Sequence, residues 1–132
     1  MKAAFFFFIG AALWAMVATF GGRVEGYFFP VTSQVSIIQT EVINPVQTRF
    51  WGELKRERQC AFESLEWRLG ELGSSSRADL VFEEGAKVRG SGLEEFGPWV
   101  VQLTPDQLLN RSFAVVRHRC HPFWITVTIF YP

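Results

Sequence analysis

The chain has 132 residues, enough for one ordinary domain and one targeting segment but not for two independent domains. Its 13 Lys and Arg residues balance its 13 Asp and Glu residues, so no net positive field would attract nucleic acid, and we expect no nucleic-acid partner. Apolar residues make up 48% of the sequence and aromatic residues 16%, which indicates either an aromatic core or an adhesive surface.

The N-terminus is dominated by an apolar stretch. Residues 3–22 contain one polar side chain, Thr19, and no charge. A helix of 20 residues rises about 30 Å, the thickness of a bilayer hydrocarbon core. We therefore expect residues 1–24 to form a transmembrane helix or uncleaved signal anchor that contacts membrane lipid. Its predicted anchoring side chains are Phe5, Phe8, Leu13, Trp14 and Phe20.

A cleaved signal peptide is the alternative interpretation of this stretch, with Lys2 as its positive end. A cleavage site prefers small residues at its −3 and −1 positions. Cutting after Ala18 would place Met16 at −3, and cuts after Thr19 or Gly21 match only moderately. The sequence therefore favours retention of the segment.

The orientation of the helix is predicted mainly from the character of the downstream domain. Lys2 flanks one end of the helix, whereas Arg23 at the other end is partly offset by Glu25, so the flanking charges decide little. A β-rich domain with two cysteines fits an oxidising compartment. We expect a cytoplasmic N-terminus and an extracytoplasmic C-terminal domain, either periplasmic or extracellular.

Residues 25–34 are predicted to be an aromatic juxtamembrane linker. Tyr27, Phe28 and Phe29 come directly after the apolar stretch, at the level where aromatic rings meet lipid headgroups. The alternative is that these rings belong to the core of the downstream domain.

Residues 35–132 show alternating apolar and polar side chains with turn signals about every ten residues. This pattern predicts an all-β domain, a small β-sandwich or barrel-like fold of roughly seven short strands. The predicted strands cover 35–43, 46–55, 60–69, 78–82, 98–103, 112–120 and 123–131, with a possible edge strand at 87–89. Predicted loops cover 70–77 and 83–97.

Two stretches of the domain allow more specific predictions. A strand over 60–69 requires a bulge near Glu63 and Ser64 to keep its apolar residues on one face, and a helix over 57–69 is the alternative. Residues 104–107, Thr-Pro-Asp-Gln, match a capping box with proline at the first helical position, so a single helical turn is expected at 105–109.

The two cysteines are predicted to form one disulfide, Cys60–Cys120, which would stabilise the domain by about 4 kcal/mol in the loop-entropy model. Arginines flank both residues and would favour a thiolate if the bond were absent, but the CxxC spacing of thiol oxidoreductases does not occur. The order Cys60, Trp67, Cys120 loosely resembles the immunoglobulin pattern, in which tryptophan packs on a disulfide between two sheets. Trp67 lies very close after Cys60, and His118 stands where that family usually has tyrosine, so we infer the architecture and not the family.

Metal binding and catalysis find weak support in the sequence. The residues whose type suits zinc are Cys60, His118, Cys120 and His121. Their spacing matches no zinc module, and no cofactor is predicted. No GxSxG motif surrounds a serine, and the paired acids at 83–84 and 94–95 lie in polar stretches typical of solvated loops. We expect a protein that is not an enzyme.

The last predicted strand is apolar on both faces, which indicates a surface for a protein partner. The predicted interaction surface comprises Trp99, Phe123, Trp124, Phe130 and Tyr131; core packing is the alternative for these residues. Together these features predict a non-enzymatic single-pass membrane protein whose extracytoplasmic domain is an accessory, assembly or structural subunit of a membrane or envelope complex. A cleaved secreted binding module and a periplasmic metal or redox protein are the alternatives.

Overall fold

The computed structural model of the protein describes residues 1–83 and 92–132. These residues form a long apolar helix and a mostly β domain, so the predicted β class and the N-terminal helix are both confirmed. The helices are α1 (Lys2–Phe28) and α2 (Pro105–Asn110). The strands are β1 (Ser36–Asn44), β2 (Gln47–Arg56), β3 (Ala61–Glu71), β4 (Ser74–Ala78), β5 (Leu80–Phe82), β6 (Gly92–Val101), β7 (Ser112–Arg119) and β8 (Thr126–Tyr131).

The strands form two antiparallel sheets that share one core. One sheet has the order β1-β2-β6-β5 and the other β4-β3-β7-β8. Phe50 of β2 and Trp67 of β3 are both fully buried, and their ring centroids lie 5.0 Å apart, so aromatic side chains of the two sheets meet directly. The Trp67 Nε1–H donates to Ser112 Oγ at 2.9 Å, which satisfies the one polar atom of its side chain.

The strand predicted at 60–69 and the helical turn predicted at 105–109 are both present, with ends that differ by at most two residues. Residues 61–71 form β3 and not a helix, and the pairing of β3 with β7 shifts register between Phe62 and Ser64, at the predicted bulge. The capping box is present: Thr104 Oγ1 accepts from the Gln107 N–H at 3.2 Å, and Gln107 Oε1 accepts from the Thr104 N–H at 3.1 Å. The helix that it begins ends at Asn110, one residue beyond the expected turn.

The predicted loop at 70–77 is wrong. The chain turns at Leu72 and Gly73, where Gly73 has a φ of +92°, and returns as β4. Three serines and a glycine resemble a loop in composition, but β4 is an edge strand whose side chains are mostly exposed, so polar residues fit it. The predicted strand 78–82 is divided, because Ala78 ends β4 in one sheet whereas Leu80–Phe82 is β5 in the other.

Two further boundaries differ from expectation. The strand predicted at 98–103 begins at Gly92. The loop predicted at 83–97 is therefore wrong over residues 92–97, where Glu94, for example, pairs with Leu54 in the sheet. The last strand begins at Thr126 and not at residue 123, since the chain bends at 120–123. The possible edge strand at 87–89 lies outside the described residues.

Candidate functional site: the junction of the helix and the β domain

The apolar part of α1 stands free of the β domain. No residue of its most apolar 18-residue window is buried in the protein. The predicted anchoring side chains are all exposed: Phe5 63%, Phe8 70%, Leu13 54%, Trp14 75% and Phe20 54%. The helix is long and apolar enough to cross a membrane.

The end of α1 is packed on the domain through glycines. A Cβ on Gly21 would lie 2.9 Å from the Trp124 ring, a Cβ on Gly22 would collide with the Ile125 carbonyl oxygen, and one on Gly26 would collide with the Val127 carbonyl oxygen. Only glycine allows the helix to approach the backbone this closely.

The contacting carbonyls, Ile125 and Val127, are two residues apart and therefore lie on one side of the strand. This side is the edge of β8 that no strand pairs, because β8 is the last strand of its sheet. Farther along β8, the Phe130 carbonyl accepts from the Val35 N–H at 2.8 Å. The helix and the segment after it thus cover an edge that would otherwise be open to another chain.

A carboxylate completes the junction. Glu25 lies three residues beyond the apolar stretch, and its side chain is 13% exposed. Its Oε2 accepts from Trp124 Nε1 at 2.7 Å and from Thr126 Oγ1 at 2.9 Å, and it lies 2.9 Å from His121 Nε2. Its Oε1 pairs with the Arg58 guanidinium at 2.9 Å. One side chain of α1 is therefore held by four others from the domain.

The donors around Glu25 favour its ionised form. Burial alone would raise the pKa of this carboxyl group, but the hydrogen bonds from Trp124, Arg58, Thr126 and His121 outweigh burial and lower the pKa from 4.5 to about 2. The Phe123 N–H donates to His121 Nδ1 at 3.3 Å, which leaves His121 Nε2 as the donor to Glu25. Glu25 is thus an anion at neutral pH.

The disulfide lies at the same junction. Cys60 and Cys120 are bonded, as the sequence predicted, between the chain leading into β3 and the end of β7. Arg58 precedes one cysteine and His121 comes directly after the other, so the bond joins the two connections that hold Glu25. The bond links neighbouring strands of one sheet, unlike the inter-sheet disulfide of the immunoglobulin pattern.

The candidate zinc ligands do not meet as a set. Both sulfurs are used in the disulfide, His121 faces Glu25, and His118 is 3% exposed on β7. Burial, reinforced by the charge of Arg56, lowers the pKa of His118 and favours its neutral form. Within residues 1–83 and 92–132, no group of three or more His, Cys, Asp or Glu side chains could hold a metal ion.

The predicted interaction surface separates into two groups. Trp99, Phe130 and Tyr131 are 8%, 3% and 7% exposed and belong to the core cluster. Phe123 is 79% exposed, and Trp124 is partly buried against the helix. Of the five residues, only these last two lie at the junction.

Sequence reasoning missed the role of Glu25, which it treated only as a charge offsetting Arg23. It considered Arg58 only as a charge near Cys60 and gave no role to Gly22 or Gly26. The spacing of the two glycines is the small-xxx-small signal for close helix packing, and an acid between them, one turn beyond an apolar stretch, requires a partner. No protein-family model matches the chain, and no curated protein or solved structure is significantly similar to it.

Proposed function

We propose that this protein is a non-enzymatic, single-pass membrane protein whose C-terminal β-sandwich lies on the extracytoplasmic side and acts as an accessory, assembly or structural subunit of a membrane or envelope complex. The observation that carries the proposal is the junction: an apolar helix of membrane length stands free of the domain, while its last two turns are built into it.

A continuous helix supports a positioning role. Because α1 runs unbroken to Phe28 and is fixed through Glu25 and its glycines, the domain is held at a set distance from the membrane and in a set orientation. A flexible Gly- or Ser-rich linker would allow the domain to reach a distant target. A subunit that must present one face to a neighbouring membrane protein benefits from the fixed arrangement.

The outer strand of the first sheet supports a protein partner. β1 is an edge strand, and seven of its nine residues are exposed. Ile38, Val42 and Ile43 on this strand are 56%, 60% and 42% exposed. An exposed apolar edge strand is unfavourable in an isolated domain. A neighbouring subunit that covers β1 would remove this cost.

The disulfide supports the extracytoplasmic placement, because such bonds persist in oxidising compartments. In this arrangement the N-terminus is cytoplasmic. Retention of α1 is supported by its continuity across the possible cleavage positions, since Gly21 and Gly22 lie inside the helix and against the domain.

The test of topology is made on the full chain in the membrane fraction of a bacterial host. Intact mass gives the state of the N-terminus, alkylation with and without reduction gives the state of the cysteines, and protease added to spheroplasts reports the side on which the domain lies. We expect an intact helix, thiols that react only after reduction, and a domain exposed to added protease. A truncated soluble chain would instead indicate a secreted module, and free thiols would contradict the extracytoplasmic placement.

The subunit role is tested in membranes of the native source. A photoreactive amino acid replaces Val42 on β1, and the same photoreactive amino acid replaces Leu72 in the β3–β4 turn as a control of similar exposure. We expect one discrete protein adduct from position 42, with the same partner co-purifying in fixed ratio. A chain that migrates as a free monomer and yields no adduct at position 42 would contradict the role.

A further inference from the structure

The depth of the junction in the bilayer is set by the length of the helix. Gly21 and Gly22 are the last two residues of the apolar stretch, so they lie where the hydrocarbon core ends if that stretch spans it. Trp124 and Ile125 pack directly on these two glycines. The connection between β7 and β8 must therefore lie at the same depth as the membrane surface.

We propose that residues 121–125 form a second membrane contact, in which Phe123 inserts into the lipid interface beside the helix. This inference rests on the proposed membrane anchor and extends it, because it assigns lipid as the occupant of a surface on the β domain itself. It also changes the role of two residues that the sequence suggested for a protein partner.

Phe123 is exposed on a segment that the junction holds in place. Its side chain is 79% exposed, although it comes after Pro122 in a connection that is held on both sides by the disulfide and by the Glu25 contacts of His121 and Trp124. Trp124 packs on Gly21 and Val127 lies against Gly26, so the chain from residue 127 back toward Phe123 runs along α1 in the direction of its apolar part. The exposed ring of Phe123 is therefore carried on the membrane side of the junction.

The end of the helix supplies matching aromatic side chains. Tyr27, Phe28 and Phe29 are 82%, 67% and 66% exposed. Phe28 lies seven residues beyond Gly21, about 10 Å along a helix, which places these rings across the headgroup region. Phenylalanine, tyrosine and tryptophan in such a belt are typical of a membrane–water interface.

The charged side chains at the end of the helix suit the lipid headgroup region. Glu25, the acid closest to the apolar stretch, is shielded by four donors and is only 13% exposed. Arg23 is exposed on the same part of the helix and can meet lipid phosphate. An anion hidden within the protein and a cation directed outward suit an interface that contains phosphate groups.

The test is photo-crosslinking of the full chain in vesicles of phosphatidylcholine and phosphatidylglycerol. The variants are Phe123→p-benzoylphenylalanine, Phe8→p-benzoylphenylalanine within the membrane helix, and Leu72→p-benzoylphenylalanine in the β3–β4 turn. Phe8 and Leu72 are 70% and 69% exposed, so all three positions are accessible in the protein alone. Mass spectrometry of the products distinguishes phospholipid adducts from protein adducts.

We expect phospholipid adducts at positions 8 and 123 and none above background at position 72. Adducts at position 8 alone would overturn the second contact while leaving the membrane anchor intact. A protein adduct at position 123, from a second copy or another chain, would also overturn it, and equal labelling at 72 and 123 would show no local lipid contact. The absence of lipid adducts at both 8 and 123 would refute the anchor and this inference together.

Discussion

Replacement of Glu25 by glutamine tests whether the junction depends on a buried anion. A pKa of about 2 in place of 4.5 corresponds to a preference for the ionised form of about 3 kcal/mol, at about 1.4 kcal/mol per pH unit. Glutamine keeps the shape of the side chain but carries no charge for Arg58, and its amide nitrogen cannot accept from Trp124 or Thr126. We expect Glu25→Gln to lower the free energy of unfolding by about 3 kcal/mol at pH 7.

The pH dependence of this substitution is a sharper test of the charge. Because folding lowers the pKa of Glu25, its contribution is fully present above its unfolded pKa of 4.5 and is lost as the pH falls toward 2. The difference in stability between the native protein and Glu25→Gln should therefore shrink between pH 5 and pH 2. The assay is urea unfolding of the full chain in detergent micelles, monitored by near-ultraviolet circular dichroism, with Glu71→Gln at the exposed end of β3 as the control. A difference that stays constant over this pH range would refute the role of the charge.

Three further substitutions test the other parts of the structure. Gly26→Ala places a methyl group against the Val127 carbonyl and should cost about 1–3 kcal/mol of unfolding free energy. Gly10→Ala is the control, because the space around Gly10 is open, and it should not destabilise the protein. Equal effects of the two substitutions would contradict the close packing at Gly26. The double replacement Cys60→Ser with Cys120→Ser removes a link across 60 positions and should lower the urea midpoint by the equivalent of about 4 kcal/mol of unfolding free energy. An unchanged midpoint would show that the disulfide does not stabilise the domain. Leu13→Arg should reduce membrane insertion, measured as the carbonate-resistant fraction, at a cost of about 2.5–3.5 kcal/mol at the helix centre, and full retention would argue against a membrane span.

Features that depend on local sequence were predictable. The capping box at residues 104–107 consists of two reciprocal hydrogen bonds within four residues, so its pattern specifies its geometry. The apolar length of residues 3–22 likewise predicted the long N-terminal helix. The cysteine pair was predictable for another reason, because two cysteines allow only one intramolecular bond.

The junction could not be predicted, because it joins residues far apart in the chain. Glu25 and Trp124 are separated by 99 positions, and Glu25 and Arg58 lie on opposite sides of β1 and β2 in the chain. Alternation and turn signals report which face of a strand is buried but not which strands lie at the edges of a sheet. The order of the second sheet, with β8 at its edge, is what brings the glycines of α1 into contact with β8.

The two faces of the last strand are used differently in this arrangement. Thr128 and Phe130 are 4% and 3% exposed and face the core, so one face of β8 is fully used by the domain. On the other parity, Val127 is half-buried and Ile129 remains 45% exposed. The predicted partner surface drew on residues of both faces, although Phe130 and Tyr131 belong to the core.

Covering β8 with α1 meets two requirements with one set of contacts. An open edge strand could pair with other chains, and the helix removes that edge by lying along it. The same contacts fix the orientation of the domain, because the glycines set how closely the helix approaches and Glu25 sets its rotation about its own axis. Rotation of α1 would withdraw the carboxylate from Arg58 and Trp124 and leave a charge without its donors, which costs far more than the loss of an exposed ion pair. The domain therefore cannot turn on its helix without breaking the junction.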